Sequence, residues 1–317
     1  MSYQEAIKYL ATVELHASDG DVVMRIGYVS NLFFEHGEAQ DKRIALAEIA
    51  ADFDGMFGNK LTRYQELEGR RLKPIRPGYL ERWRELARSL EPEKTFVVGA
   101  VGGGKEVFLD PIFLRGVGFR NSEDDEASFL EANFPIDYPP SDNPEAYISI
   151  TKHWCSLLKP SHGTFGLALQ FPENKGGGSG FAISAAVYIK RFPGFDFIDS
   201  LGYIVACKAN FRNRIRGINW LTVLNDALVE SFGGIDALRA KLGDLCVIHP
   251  YDGGIVIQAG PTPETGDFNR GVVPAAYRQV YHAIGGSLFR DYPVGIFMTR
   301  NQEDMAEATQ AWLSRFE

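Results

Sequence analysis

The chain has 317 residues, 45% hydrophobic and 23% charged, and its 22 Phe, 13 Tyr and 4 Trp can bury a sizeable core, which excludes a disordered chain. Its 33 basic and 41 acidic side chains give a net charge of −8 and a pI near 5.4, which excludes a general nucleic-acid binder, whose basic surface must displace counterions, and suits a basic protein partner. Cys155, Cys207 and Cys246 form no CxxC pair, so neither a disulfide framework nor a cysteine zinc site is implied.

Along the chain, Met1–Leu10 carries Glu5 and Lys8 and has no secretory apolar run. The most apolar stretch, Phe181–Ile189, is far short of the roughly 20 residues of a membrane span, so the chain reads as cytoplasmic. Val22–Phe34, rich in β-branched and aromatic residues, predicts a long strand. Ala45, Leu46, Ile49, Phe53 and Met56 recur at helical spacing and predict a helix from about Glu38 to Phe57. A strand is expected within Lys60–Leu72 and an amphipathic helix over Tyr79–Leu90. Lys94–Val101 reads as a buried strand, and Val107–Phe119 as further strand interrupted by Pro111.

Asn121–Glu145 changes character, with eight acidic residues in 25, no Lys or Arg, and Pro135, Pro139, Pro140 and Pro144. It is expected to connect two halves, with a short helix near Asp124–Ala132. Beyond it, a helix over Glu145–Leu158, a strand over His162–Phe171 and a helix over Phe181–Phe192 are expected; Leu201–Ala209 fits either strand or helix. Asn219 is read as the N-cap of a helix running to Ser231 and stopped by Gly233 and Gly234. Ile235–Leu242 is a short helix, Leu245–His249 and Gly254–Ala259 form a hairpin, and helices close the chain at Pro274–Ile284 and Glu303–Phe316. Strands and helices are interleaved without a βαβ rhythm. The expectation is an α+β fold with mixed or mainly antiparallel sheets and packed helices. It forms one domain over 1–317, with two similar lobes (about 1–120 and 146–317) joined by an acidic connector 121–145 as the open alternative.

No local motif selects an active site. Gly99, Gly104 and Lys105 have GxxxxGK spacing, but Glu106 stands where a phosphate loop needs Ser or Thr, and no helix is expected after it. The six histidines show no HExxH and no helical pairing, so no metal site and no cofactor is implied. Ser179 lacks the GxSxG frame, and Cys246 with His249 lies in an apolar strand where packing is the simpler role. The acidic segment is the strongest physical signal, and its densest run, Glu123, Asp124, Asp125 and Glu126, is the candidate surface for a basic partner.

Arg216-Gly217-Ile218-Asn219-Trp220-Leu221-Thr222-Val223-Leu224 followed by Gly233-Gly234 resembles a signature of type VI immunity proteins, a bacterial family linked with VRR-Nuc nuclease effectors. The resemblance continues through Asp252–Gly260, Gly266–Asn269, Pro274 and Tyr277, and Arg25–Tyr28 with Leu32–Phe34 fits the family's opening strand. It implies a protein that neutralises a cognate nuclease toxin delivered by a type VI secretion system, and it carries over no catalytic residue. Occlusion of the toxin's cleft is the expected mode. A hydrolase-like enzyme whose site is assembled from distant residues, and a non-catalytic scaffold, stay open as rivals.

Overall fold

The computed structural model describes residues 3–16, 20, 22–66, 72–102, 111–120, 127–138, 143–170, 186–293, 295–296 and 304–317. Its first half comprises α1 (Tyr3–Leu10), β1 (Glu14–His16), β2 (Val22–Phe34), α2 (Gln40–Phe57), β3 (Leu61–Glu66), β4 (Lys73–Pro74), α3 (Tyr79–Ser89), β5 (Phe96–Gly102), β6 (Phe113–Gly118) and β7 (Ser128–Phe134). There follow α4 (Pro144–Leu158), β8 (His162–Gln170), a helical stretch 186–191, β9 (Asp196–Phe197), α5 (Ser200–Cys207) and β10 (Leu221–Asn225). The remainder is α6 (Asp226–Ser231), α7 (Gly234–Leu242), β11 (Cys246–Tyr251), β12 (Gly254–Ala259), α8 (Ala275–Ile284) and α9 (Asp304–Leu313).

Among the described residues twelve strands form a single open sheet in the order β11-β12-β10-β8-β2-β7-β6-β5-β3-β4, with β1 on β2 and β9 on β8. All pairings are antiparallel except β8 with β9, so the fold is α+β, as composition and rhythm predict. At the centre Asn31 of β2 lies between Glu131 of β7 and Thr164 of β8, and the sheet runs without a break from strands of the first half to those of the second. β2 is buried on both faces, which explains its continuous apolar sequence. Tyr28, Leu32 and Phe34 enter the larger core, where they meet α2 and α4 through Phe53, Tyr147 and Trp154. Phe33 points the other way, into a smaller core with Phe129, Tyr203, Phe211 and Phe289 under α5.

Parts of two expected helices are strands, while the end of the second, Asp226–Ser231, is helix as expected. Ser128–Phe134, expected within a connector and partly as helix, is β7: Phe129 serves the smaller core while Leu130, Ala132 and Phe134 serve the larger, the alternation of a strand buried on both sides. Leu221–Asn225 is β10, hydrogen-bonded between β8 and β12. The cap belongs to Asn225, not Asn219: its side chain accepts from the Leu228 N–H at 2.9 Å and starts α6. The ambiguous Leu201–Ala209 is helix over Ser200–Cys207, capped by Asp199. Both outer edges of the sheet carry a proline, Pro74 in β4 and Pro250 in β11, which removes a donor where another strand would add.

Candidate functional site

Topology gathers acidic side chains at one end of the sheet. β6 ends and β7 begins there, paired as Val117↔Phe129, and the chain between them carries Glu123, Asp124, Asp125 and Glu126, which lie outside the described residues. At the same end β2 runs out into Glu35 and Glu38, α2 begins with Asp41, and β5 starts opposite Gly118 just after Glu91 and Glu93. The fully buried Arg43 of α2 fixes this corner by donating to the carbonyls of Leu90, Glu91 (3.1 Å) and Lys94 (2.8 Å). Burial lowers its pKa, and the charges of Glu38 and Glu93 oppose the shift, which places both acids beside it.

The next corner is fixed similarly. Lys42 Nζ donates to the Leu158 carbonyl at 2.8 Å where α4 ends; its pKa is lowered by burial against the pull of Asp41 and Glu35. Lys159 Nζ meets Asp252 Oδ2 at 2.8 Å and ties α4 to the β11–β12 turn, while Arg212 pairs with Glu35. Six acids from three stretches of the chain (Glu35, Glu38, Asp41, Glu91, Glu93 and Asp252) therefore share the end at which the predicted acidic run is rooted, three of them paired with Arg212, Lys94 and Lys159. Sequence reading missed these six, because only the strand order brings them together.

The Arg216–Leu224 motif builds no surface; it locks the sheet. Arg216 Nη1 donates to both carboxylate oxygens of Asp196 at 3.1 and 3.0 Å, and its Nη2 to the Phe197 carbonyl, with both charged side chains buried. Burial works most strongly against the Arg216 charge, but Asp196 together with Tyr292 and Asp199 outweighs it and the pKa is raised. Thr164 Oγ1 and the Phe197 N–H donate to the same carboxylate. Asn219 Nδ2 donates to the Leu167 carbonyl at 3.2 Å, in space left by Gly166, where a Cβ would lie 2.1 Å from Asn219 Oδ1. Trp220 Nε1 donates to the Gly260 carbonyl at 3.1 Å. Gly233 and Gly234 take φ of 97° and 85° at the α6–α7 joint, where a side chain would be strained.

The candidate nucleophiles are placed for packing. Cys155 is fully buried and its thiol is raised by burial; Cys207 and Cys246 are pushed up to about 11 by the same cause. Cys246 and His249, three apart in a strand, point to opposite faces, and His249 Nε2 meets Gln258 Oε1 at 2.8 Å. His153 pairs with Asp52 at 3.0 Å on the outside of α4, away from the buried Cys155. Of the glycine–lysine stretch, Gly99 to Gly102 belong to β5, whereas Lys105, Glu106 and the second glycine run with Ser179 lie outside the described residues. Among the described residues no three His, Cys, Asp or Glu converge as a metal-binding group, and no helix is long and apolar enough to cross a membrane.

A family model described as type VI immunity for VRR-NUC matches residues 45–316. Among solved structures, one described as Pseudomonas aeruginosa T6SS protein PA0821 superposes with a TM-score of 0.79 at 22% identity, covering 99% of this chain and 90% of that one. At that identity the likeness is one of fold. No curated protein matches.

Proposed function

The chain belongs to the TsiV family of type VI immunity proteins for VRR-Nuc effectors, and from that membership we propose that it acts as a non-catalytic inhibitor in the cytoplasm, setting the acidic end of its sheet against the basic cleft of the effector nuclease. A nuclease cleft presents Lys and Arg to phosphates, so a fixed acidic surface competes for the same field. The observation that carries the reading is the convergence of Glu35, Glu38, Asp41, Glu91, Glu93 and Asp252 on the end where Glu123–Glu126 join β6 to β7. Arg43 holds the Glu91 carbonyl, Lys159 pairs with the Asp252 carboxylate and Arg212 with that of Glu35, so the partner meets charges carried on an ordered frame. The protonated thiols and the divergent Cys246 and His249 support inhibition without chemistry.

The test has two arms. Co-expression with the VRR-Nuc effector restores growth, and the two proteins co-purify; growth rescue without a complex overturns the binding reading. Replacing Glu123, Asp124, Asp125 and Glu126 by Ala slows association about tenfold at low salt with a smaller effect on dissociation, and the difference shrinks as the Debye length falls to about 8 Å. Unchanged kinetics at both salts removes the acidic run from the interface.

A further inference from the structure

The two edges of the sheet are guarded unequally. β4 ends one side with two exposed residues, Lys73 and Pro74, a charge and a proline that discourage a further strand. β11 ends the other with Cys246-Val247-Ile248-His249-Pro250-Tyr251, a strand without Lys, Arg, Asp or Glu. Val247 and the adjoining Leu245 are each 51% exposed. The Gly260 N–H donates to the Leu245 carbonyl at 3.1 Å, and β11 alternates from there: Val247, His249 and Tyr251, opposite Gln258, Val256 and Gly254, turn their backbone groups to β12. Cys246, Ile248 and Pro250 turn theirs outward, where no strand pairs among the described residues. Pro250 has no N–H, so the outward donors of the strand are those of Cys246 and Ile248.

We infer that this edge pairs with the same edge of a second copy, antiparallel and two-fold about Val247, so that the two chains share one sheet. In that register Cys246 of each copy faces Ile248 of the other, and each such pair exchanges both of its N–H···O=C bonds. Every outward donor of the strand is used, with the carbonyls of the same two residues, and Pro250 falls just beyond the paired stretch. Centred on Ile248 instead, the pairing sets the Cys246 carbonyl against the Pro250 ring, which has nothing to donate. Val247 lies on the axis against its own copy, and the two exposed valines shield each other from water. The shortness of the edge selects this occupant. Its donors are too few for the long ladder and successive side-chain pockets that hold a foreign strand. A second copy brings a matching set of donors and acceptors in the symmetry that closes. The axis turns one chain end over end, so the acidic ends point in opposite directions and do not repel at the seam. The inference is independent of the proposed inhibition, and no effector enters its test.

Sedimentation of the full chain at rising concentration reads its state, and the mass is expected to rise from that of one chain toward that of two. Val247→Lys, at an exposed position and checked for fold by circular dichroism, is expected to weaken dimerisation at least about tenfold, because it sets two ammonium groups across the axis. Cysteine cross-linking reads the register, in a Cys246→Ser background where Cys155 and Cys207 are buried. Across the axis the Cα atoms of the two Val247 residues lie about 4.5 Å apart, within disulfide reach, whereas those of the two Leu245 residues lie about 13 Å apart. Oxidation with copper phenanthroline is therefore expected to give a disulfide dimer of Val247→Cys, and at least about tenfold less of it with the equally exposed Leu245→Cys. A chain that stays monomeric up to about 0.1 mM, a dimer indifferent to Val247→Lys, or equal cross-linking at the two positions overturns the inference. A mass that climbs past two chains does the same, because a two-fold seam closes.

Discussion

His162→Phe removes a pH dependence from the stability of the fold. His162 opens β8, is fully buried, and stacks on Phe33 at 5.1 Å with Phe211 at 5.0 Å and the edge of Tyr203 at 5.5 Å. Neither ring nitrogen has a hydrogen-bond partner among the described residues. Burial, with the charge of Arg216 nearby, therefore holds its pKa down to about 3, whereas the unfolded chain protonates this ring near its ordinary value of about 6.5. Between those values the unfolded state binds one more proton. The contribution is whole above about pH 6.5 and declines by about 1.4 kcal/mol per unit as the pH falls toward 3. From pH 7.5 to 5.0 the ring thus costs the fold about 2 kcal/mol. Urea unfolding of both proteins at the two pH values isolates the effect, since any packing change in the variant is common to both. The wild type is expected to lose about 2 kcal/mol more than His162→Phe on acidification. Equal losses in the two proteins refute the argument, because they mean that the ring is not held neutral.

Arg216→Ala leaves the Asp196 carboxylate buried with its main partner gone, and should lower stability by about 3–5 kcal/mol in denaturant unfolding, more than a paired replacement of both residues by leucine. Gly166→Ala drives a Cβ into Asn219 and should cost about 1–3 kcal/mol; a double-mutant cycle with Asn219→Ala should show strong coupling, and additive effects speak against the contact. Cys246→Ser should keep both effector binding and growth protection, because the thiol is protonated and diverges from His249; a folded variant that binds but fails to protect restores the enzyme reading.

Patterns that depend on neighbours in sequence were legible, and those that depend on strand order were not. Val22–Phe34, Tyr79–Ser89 and the hairpin around Asp252–Gly254 announce themselves by β-branched runs, an apolar stripe and a glycine turn. Ser128–Phe134 did not, because a strand buried on both faces has no polar alternation and an acidic run precedes it. Asn219 looked like a cap because it is an asparagine before an apolar run; its side chain instead fills the space above Gly166, a fact visible only once β8 and β10 are adjacent. Asp196 gave no signal as the partner of Arg216. The acidic run stood out at once, while Glu35, Glu91 and Asp252, which share its end of the sheet, lie in other stretches of the chain that only the strand order brings beside it.

The position of β2 also governs how the protein comes into being. Its neighbours arrive late: Asn31 pairs with Glu131 and Thr164, about 100 and about 130 residues further along the chain, and such distant closures slow folding. At about 5–20 residues per second a ribosome needs about 7–26 seconds to deliver the second neighbour, and until then the edge of β2 that β8 will cover stays open. The first half therefore carries an open strand edge, a template for wrong pairing, for as long as the second half is still being made.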